Sequence, residues 1–190
     1  MGTLILVVGL PGSGKGTLIG HARQAFPEFV YPVSWTTRTI RPGEREGEGY
    51  HFATKEEFDS AVQNGNFLEW VTIDNGTRYG TPKEDFIGPL KAGKNVLREL
   101  EVEGARAMRK LLPQARVVSI FLPAGTWDDL KTRMLARAPM SEEELAARKT
   151  RYEKEVAFEQ EADYVLKNEF GKLEETKQKF AELIRTIIKS

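Results

Sequence analysis

Apolar and polar positions along the 190-residue chain alternate between two kinds of segment. Residues 3–8, TLILVV, form a continuous apolar run rich in β-branched side chains, the pattern of a strand covered on both faces. The runs FLEWVTI at 67–73, NVLREL at 95–100, ARVVSIFL at 115–122 and ADYVLKN at 162–168 predict further buried strands. Between them the apolar spacing becomes helical, near 55–64, 83–91, 103–111, 126–137, 141–160 and 172–188. The last of these carries Leu173, Phe180, Leu183, Ile184 and Ile187 in a stripe expected to face the core. Strands alternating with helices imply an α/β protein with a mainly parallel central sheet flanked by helices. Two stretches interrupt the alternation. Residues 34–81 are rich in turn residues and aromatics, and residues 131–151 form a charged helical hairpin around Pro139. No repeat, low-complexity tract or Pro/Ser linker accompanies them. Both therefore read as insertions into one domain, whose core comprises 1–33, 82–130 and 152–190.

Charge narrows the choice of partner. Lys and Arg number 28, Asp and Glu also 28, and the sequence pI is near 6.8, which argues against nucleic acid or an anionic membrane surface. The chain has no cysteine, and its two histidines, His21 and His51, have no metal-ligand spacing. The opening MGTLILVVGL lacks a basic leader, its apolar run is too short to span a bilayer, and Leu6 stands where myristoylation wants Ser or Thr. These features predict a cytoplasmic enzyme or binding domain that needs no protein partner.

The first candidate chemistry is GLPGSGKGT at 9–17, set between a buried strand and a helix as a phosphate-binding loop requires. Gly9, Pro11, Gly12, Ser13, Gly14, Lys15, Gly16 and Thr17 are the candidate ATP-binding residues. The glycines let the loop's backbone N–H groups, which Pro11 lacks, converge on phosphate at a helix N-terminus, and Lys15 can reach the β- and γ-phosphates. The usual loop places Ser or Thr directly after the lysine, whereas this one has Gly16 and delays the hydroxyl to Thr17. In this it resembles the loop of adenylate-kinase-type enzymes, where Mg²⁺ relies on waters and more distant carboxylates. Thr17 is accordingly expected on a phosphate oxygen.

The second is SWTTRTIRPGEREGEGYHF at 34–52, which concentrates arginines, glycines and a tyrosine in a chain of zero net charge. Arg38 and Arg41 lie three apart, and guanidinium forks bind phosphate oxygens bidentately. Tyr50 and Tyr79 can add hydroxyl donors. The competing reading pairs the arginines with the neighbouring glutamates. This segment, with FLEW at 67–70, RYGT at 78–81, EGARAMRK at 103–110 and DYVLKNE at 163–169, resembles the guanylate kinases over nearly the whole chain. The resemblance implies that Arg38, Arg41, Tyr50 and Tyr79 grip the phosphate of GMP.

The same resemblance implies that Ser34, Glu69 and Thr81 read the guanine. The chemistry agrees: guanine offers N1–H and N2–H₂ donors to a carboxylate and an O6 acceptor to a hydroxyl, and adenine reverses that pattern. Glu101 stands where the family usually has Asp and Glu103 where it has Gln. Glu101 is expected to contact the base, and Glu99 to orient waters around Mg²⁺. Arg133, Arg137 and Arg148 match the lid arginines that reach over the donor phosphates, and Asn168 matches a residue near the donor adenine. Trp35, Trp70 and Trp127 are expected to pack, and His51 to lie on a short strand. The expected reaction is ATP + GMP ⇌ ADP + GDP, dGMP included. The rivals are a non-catalytic guanylate-kinase-like domain binding phosphorylated peptide and a kinase for another monophosphate. AMP is the least expected acceptor.

Overall fold

A computed structural model describes residues 1–10, 13–72, 76–123, 125–137, 139–168 and 171–190, without the side chains of Arg133, Ala136, Arg137 and Arg151. Pro11 and Gly12, two of the candidate ATP-binding residues, lie outside the described residues, as does Ile73 of the predicted strand at 67–73. The chain forms two compact units, one of Met1–Thr3 and Glu28–Arg98, the other of Leu4–Pro27 and Glu99–Ser190.

The fold is α/β. A first sheet has the order β6 (Val96–Leu100), β1 (Thr3–Gly9), β7 (Arg116–Leu122), β8 (Tyr164–Val165), with β7 and β8 parallel. Leu4 to Val8 are wholly buried, as the unbroken apolar run predicts. Each such side chain contributes roughly 1.5–3 kcal/mol relative to exposure. Helix α1 (Lys15–Ala25) follows β1, buries Leu18 and Ala22, and packs on α7 (Leu173–Lys189). On α7 the buried residues are Thr176, Phe180, Ala181, Ile184 and Ile187. Leu173 departs from its expected place in that stripe and is 37% exposed, because it opens the helix before the first turn is covered. Helix α4 (Val102–Leu111) packs on β7, and α5 (Trp127–Arg137) packs on α6 (Glu142–Ala157) on either side of Pro139. Ser141 starts α6 with a capping box, its hydroxyl accepting from Glu144 N–H at 3.1 Å while Glu144 accepts from Ser141 N–H at 2.9 Å.

The Glu28–Arg98 segment builds a second sheet of order β3 (Tyr50–Phe52), β2 (Ser34–Thr36), β5 (Arg78–Pro82), β4 (Phe67–Thr72). It is mixed: β2 and β3 are parallel, whereas β5 is antiparallel to both β2 and β4. Here the reading of 67–73 as a fully buried strand is corrected. β4 is an edge strand with one neighbour, and Trp70 and Val71 are 49% and 53% exposed; Trp70 packs on one side only, edge-on to Phe58 with ring centroids 6.5 Å apart. Its N-terminal half is held by Phe67, whose ring centroid lies 4.7 Å from that of Phe58 on α2 (Lys55–Gln63) and 5.6 Å from that of Trp35. Helix α3 (Glu84–Lys91) completes this unit with Phe86 and Leu90 buried. His51 does lie on a short strand, with its ring 4.3 Å from that of Trp35.

Candidate active site

The phosphate loop begins where β1 ends, and two glycines are required by its geometry. A Cβ on Gly9 would lie 2.3 Å from the carbonyl oxygen of Leu122 on β7, so only glycine allows that approach. Gly14 caps α1 at φ +92°, and a Cβ there would meet Asn168 Nδ2 at 2.4 Å. Asn168 instead donates from Nδ2 to the Ser13 carbonyl at 3.0 Å, tying the segment after β8 to the loop. Ser13 is buried, and its Oγ has no hydrogen-bond partner among the described residues. A buried hydroxyl in that condition is an unfilled donor at the mouth of a helix N-terminus, which suits an anion. Thr17 and Gly16 are exposed in the first turn of α1.

Lys15 donates from Nζ to the carbonyls of Gly9 at 2.7 Å and Leu10 at 2.9 Å and lies 3.7 Å from a Glu99 oxygen. Burial pushes its pKa below the ordinary lysine value, opposed by the charges of Glu99, Glu155 and Glu101. The ammonium thus sits in a half-dry pocket with carboxylates on its flank. Glu99 is the penultimate residue of β6 and Glu101 stands at the N-cap of α4, and both act on Lys15. Glu103 is engaged elsewhere, paired at 2.7 Å with Arg106, which also bonds Glu161.

Glu155 was not foreseen, since nothing in a charged helix distinguishes it from a solvated neighbour. It is buried on α6 and acts on Lys15. Arg148, Tyr152 and Glu155 recur at helical spacing and share one stripe of α6. Arg148 therefore lies on the side of α6 that carries the lysine's carboxylate neighbour. Its Nη1 is 3.8 Å from Met134 Sδ on α5, and Tyr152 donates to the Gly125 carbonyl at 3.1 Å while packing on Trp127. Arg133 and Arg137 lie on α5, with side chains outside the described residues.

Strand register assembles the other candidates. In the second sheet Ser34 pairs with Tyr50, Thr36 with Tyr79, and Glu69 with Thr81. Directly paired residues project to the same side of a sheet, and alternate residues along a strand do likewise. Ser34, Tyr50, Glu69, Tyr79 and Thr81 consequently occupy one face. Trp35, His51, Trp70 and Gly80 occupy the other, where a Cβ on Gly80 would meet the Phe67 ring at 2.8 Å. The first face carries the predicted nucleotide contacts, with Phe52 and Val71 beside them, and on the second Phe67 and Trp70 meet Phe58 of α2.

On the first face, Arg38 makes a bidentate pair with Glu44 at 2.8 and 2.9 Å and lies 5.4 Å from the Tyr50 ring centroid. Hydrogen bonding to Glu44, and more weakly to Tyr79, raises its pKa. Glu44 falls to about 2, held first by Arg38 and then by the Arg41 backbone N–H at 2.8 Å. The glutamate pairing weighed in the sequence is therefore present for Arg38, and it pre-orients the guanidinium beside both tyrosines. The Arg41 side chain is exposed. Burial pushes the Glu69 carboxyl up, countered by Thr81, whose Oγ1 lies 3.4 Å from Glu69 Oε1. One partner was missed: Arg98, on β6, donates to Ser34 Oγ at 2.5 Å and to the Pro32 carbonyl at 2.7 Å. An arginine interrupting the apolar NVLREL was the signal available.

The family model described as Guanylate kinase matches residues 1–187. A protein of Nocardia farcinica named guanylate kinase is 43% identical over 169 residues, 88% of this chain and 86% of its own. One of Rubrobacter xylanophilus with the same name is 38% identical over 187 residues, covering 98% of this chain and 95% of its own. The crystal structure of guanylate kinase from Anaplasma phagocytophilum superposes with a TM-score of 0.72 at 26% identity, covering all of this chain and 87% of that one.

Proposed function

The chain belongs to the guanylate kinase family, and on that premise we propose how its residues divide the reaction. The activity is ATP-dependent phosphorylation of GMP. The γ-phosphorus leaves the bridging oxygen of ADP and bonds to a phosphate oxygen of GMP, giving GDP. That acceptor oxygen is already anionic near neutral pH, so no general base is needed, and positioning with charge stabilisation supplies the rate.

The observation that carries the residue assignment is the single face shared by Ser34, Tyr50, Glu69, Tyr79 and Thr81. Arg38, Arg41, Tyr50 and Tyr79 hold the acceptor phosphate. Glu69 accepts from guanine N1–H and N2–H₂, Ser34 donates to O6, and Thr81 orients Glu69. To Glu101 we assign a further contact with the guanine, on the family resemblance alone. dGMP is accepted as well, since none of these contacts involves the ribose 2′-hydroxyl. On the donor side, the backbone N–H groups of residues 13–17 with Lys15 bind the ATP phosphates, and Asn168 braces the loop through the Ser13 carbonyl. To Arg133, Arg137 and Arg148 we assign the charge that develops on the transferred group, where each well-placed cation lowers a barrier by a few kcal/mol.

Mg²⁺ is the implied cofactor. No cluster of three acidic or histidine side chains occurs among the described residues. Mg²⁺ keeps several waters and takes one or two carboxylates plus substrate phosphate. Glu99, 3.7 Å from Lys15 Nζ, is the residue to hold its waters. When bound, the ion neutralises charge on the ATP phosphates. No helix among the described residues is long and apolar enough to cross a membrane. The chain's place in purine metabolism is the cytoplasm, with ATP and GMP as its partners.

The test is ADP formation from Mg-ATP with GMP, dGMP, AMP, CMP and UMP, with Lys15→Ala as control. Lys15-dependent turnover with GMP and dGMP and little with AMP is expected. Preference for AMP would overturn the guanine site. Folded protein inactive with every acceptor would return the phosphopeptide-binding reading.

A further inference from the structure

Arg98 sits on β6 with its guanidinium spread over two acceptors, Ser34 Oγ at 2.5 Å and the Pro32 carbonyl at 2.7 Å. A hydroxyl that accepts from a guanidinium must direct its own proton elsewhere, because a guanidinium has no lone pair to receive it. The hydroxyl rotor of Ser34 is thereby biased, and the adjacent positive charge polarises its O–H bond. The second bond, to the Pro32 carbonyl, fixes the fork and keeps the charge at Ser34. An acceptor such as the guanine O6 gains from this arrangement. An amino group at the same position of the base meets a polarised donor and a cation.

We propose that Arg98 is a positioning residue for base specificity, which sets Ser34 as an obligate donor toward the 6-oxo group of the acceptor purine. The proposal rests on the reading of Ser34 as the O6 contact, and the test separates the two. Acceptor efficiency, kcat/KM, is measured for GMP and for 6-thio-GMP, which keeps the N1–H and N2–H₂ donors but presents sulfur, a weak acceptor, at position 6. In the parent enzyme GMP is favoured. Arg98→Met keeps the aliphatic stem and removes the donors. It lowers kcat/KM for GMP about tenfold, the size of one charge-assisted hydrogen bond, and changes that for 6-thio-GMP little, so the ratio of the two collapses. Arg98→Lys, a donor with no acceptor, restores most of the ratio, which a residue needed only for packing would not require.

Ser34→Ala supplies the other arm. It collapses the ratio by itself, and adding Arg98→Met to it has no further effect. Equal losses for both acceptors in Arg98→Met, with the ratio intact, would overturn the role of Arg98 while leaving Ser34 in place. An unchanged ratio in Ser34→Ala would overturn the Ser34 reading, and the inference about Arg98 with it. If Arg98→Met does not fold, Arg98→Lys and Ser34→Ala decide the matter: a ratio that collapses in Ser34→Ala and holds in Arg98→Lys supports the proposal, and one that collapses in both opposes it.

Discussion

Gly14→Ala tests the coupling between the phosphate loop and the segment after β8. Gly14 holds φ +92° at the N-cap of α1, in the left-handed region where a Cβ costs about 1–2 kcal/mol. The new Cβ would also sit 2.4 Å from Asn168 Nδ2, so Asn168 must move and give up its 3.0 Å bond to the Ser13 carbonyl. Losing that bond costs about 1 kcal/mol more. The total, about 2–3 kcal/mol, corresponds to a fall in Tm of roughly 5–10 °C for a chain of this size. In an Asn168→Ala background the collision disappears and only the backbone cost of about 1–2 kcal/mol remains. Thermal melts of the four proteins in this cycle should show coupling of about 1 kcal/mol between the two sites. The single variant should also raise KM for Mg-ATP and leave the Kd for GMP alone unchanged. Strict additivity, or a Gly14→Ala variant as stable as the parent, would refute the reasoning.

Two further outcomes are expected. Glu44 has its pKa lowered from 4.5 to about 2, so the stability that its pair with Arg38 contributes is complete above pH 4.5 and is lost as pH falls toward 2. A carboxyl NMR titration should place Glu44 near that value and return it toward the ordinary one in Arg38→Met; an unmoved midpoint would remove Arg38 as the cause. For Glu69 the sign is opposite. Its folded pKa is raised by burial, so the folded state binds the proton more tightly and stability declines as pH rises through the ordinary carboxylate range and up to the folded value. Glu69→Gln should therefore raise Tm at pH 8 more than at pH 4 while lowering kcat/KM for GMP on the order of 100-fold; loss of stability together with activity would make Glu69 a structural residue.

Much of this protein is legible without coordinates. The wholly buried run at 4–8, the amphipathic periods of α2, α4 and α7 and the GLPGSGKGT loop depend on local spacing, and local spacing is what a sequence displays. The donor loop and the arginine-rich segment could be named for the same reason, since each is contiguous. What needed the tertiary structure is everything that depends on register and on partners distant in the chain. A strand with one neighbour and a strand with two can share an apolar pattern, so the exposure of Trp70 and Val71 on the edge strand β4 was hidden. Pairings of residues 34 with 50, 36 with 79 and 69 with 81 decide that five polar side chains share a face, and a slip of one residue would have dispersed them. The bonds of Asn168 to Ser13 and of Arg98 to Ser34 span 155 and 64 residues. Nothing in the local pattern at either end encodes its partner. Residue types and their periods specify which chemistry a segment can perform, and only the closure of the chain decides which groups meet.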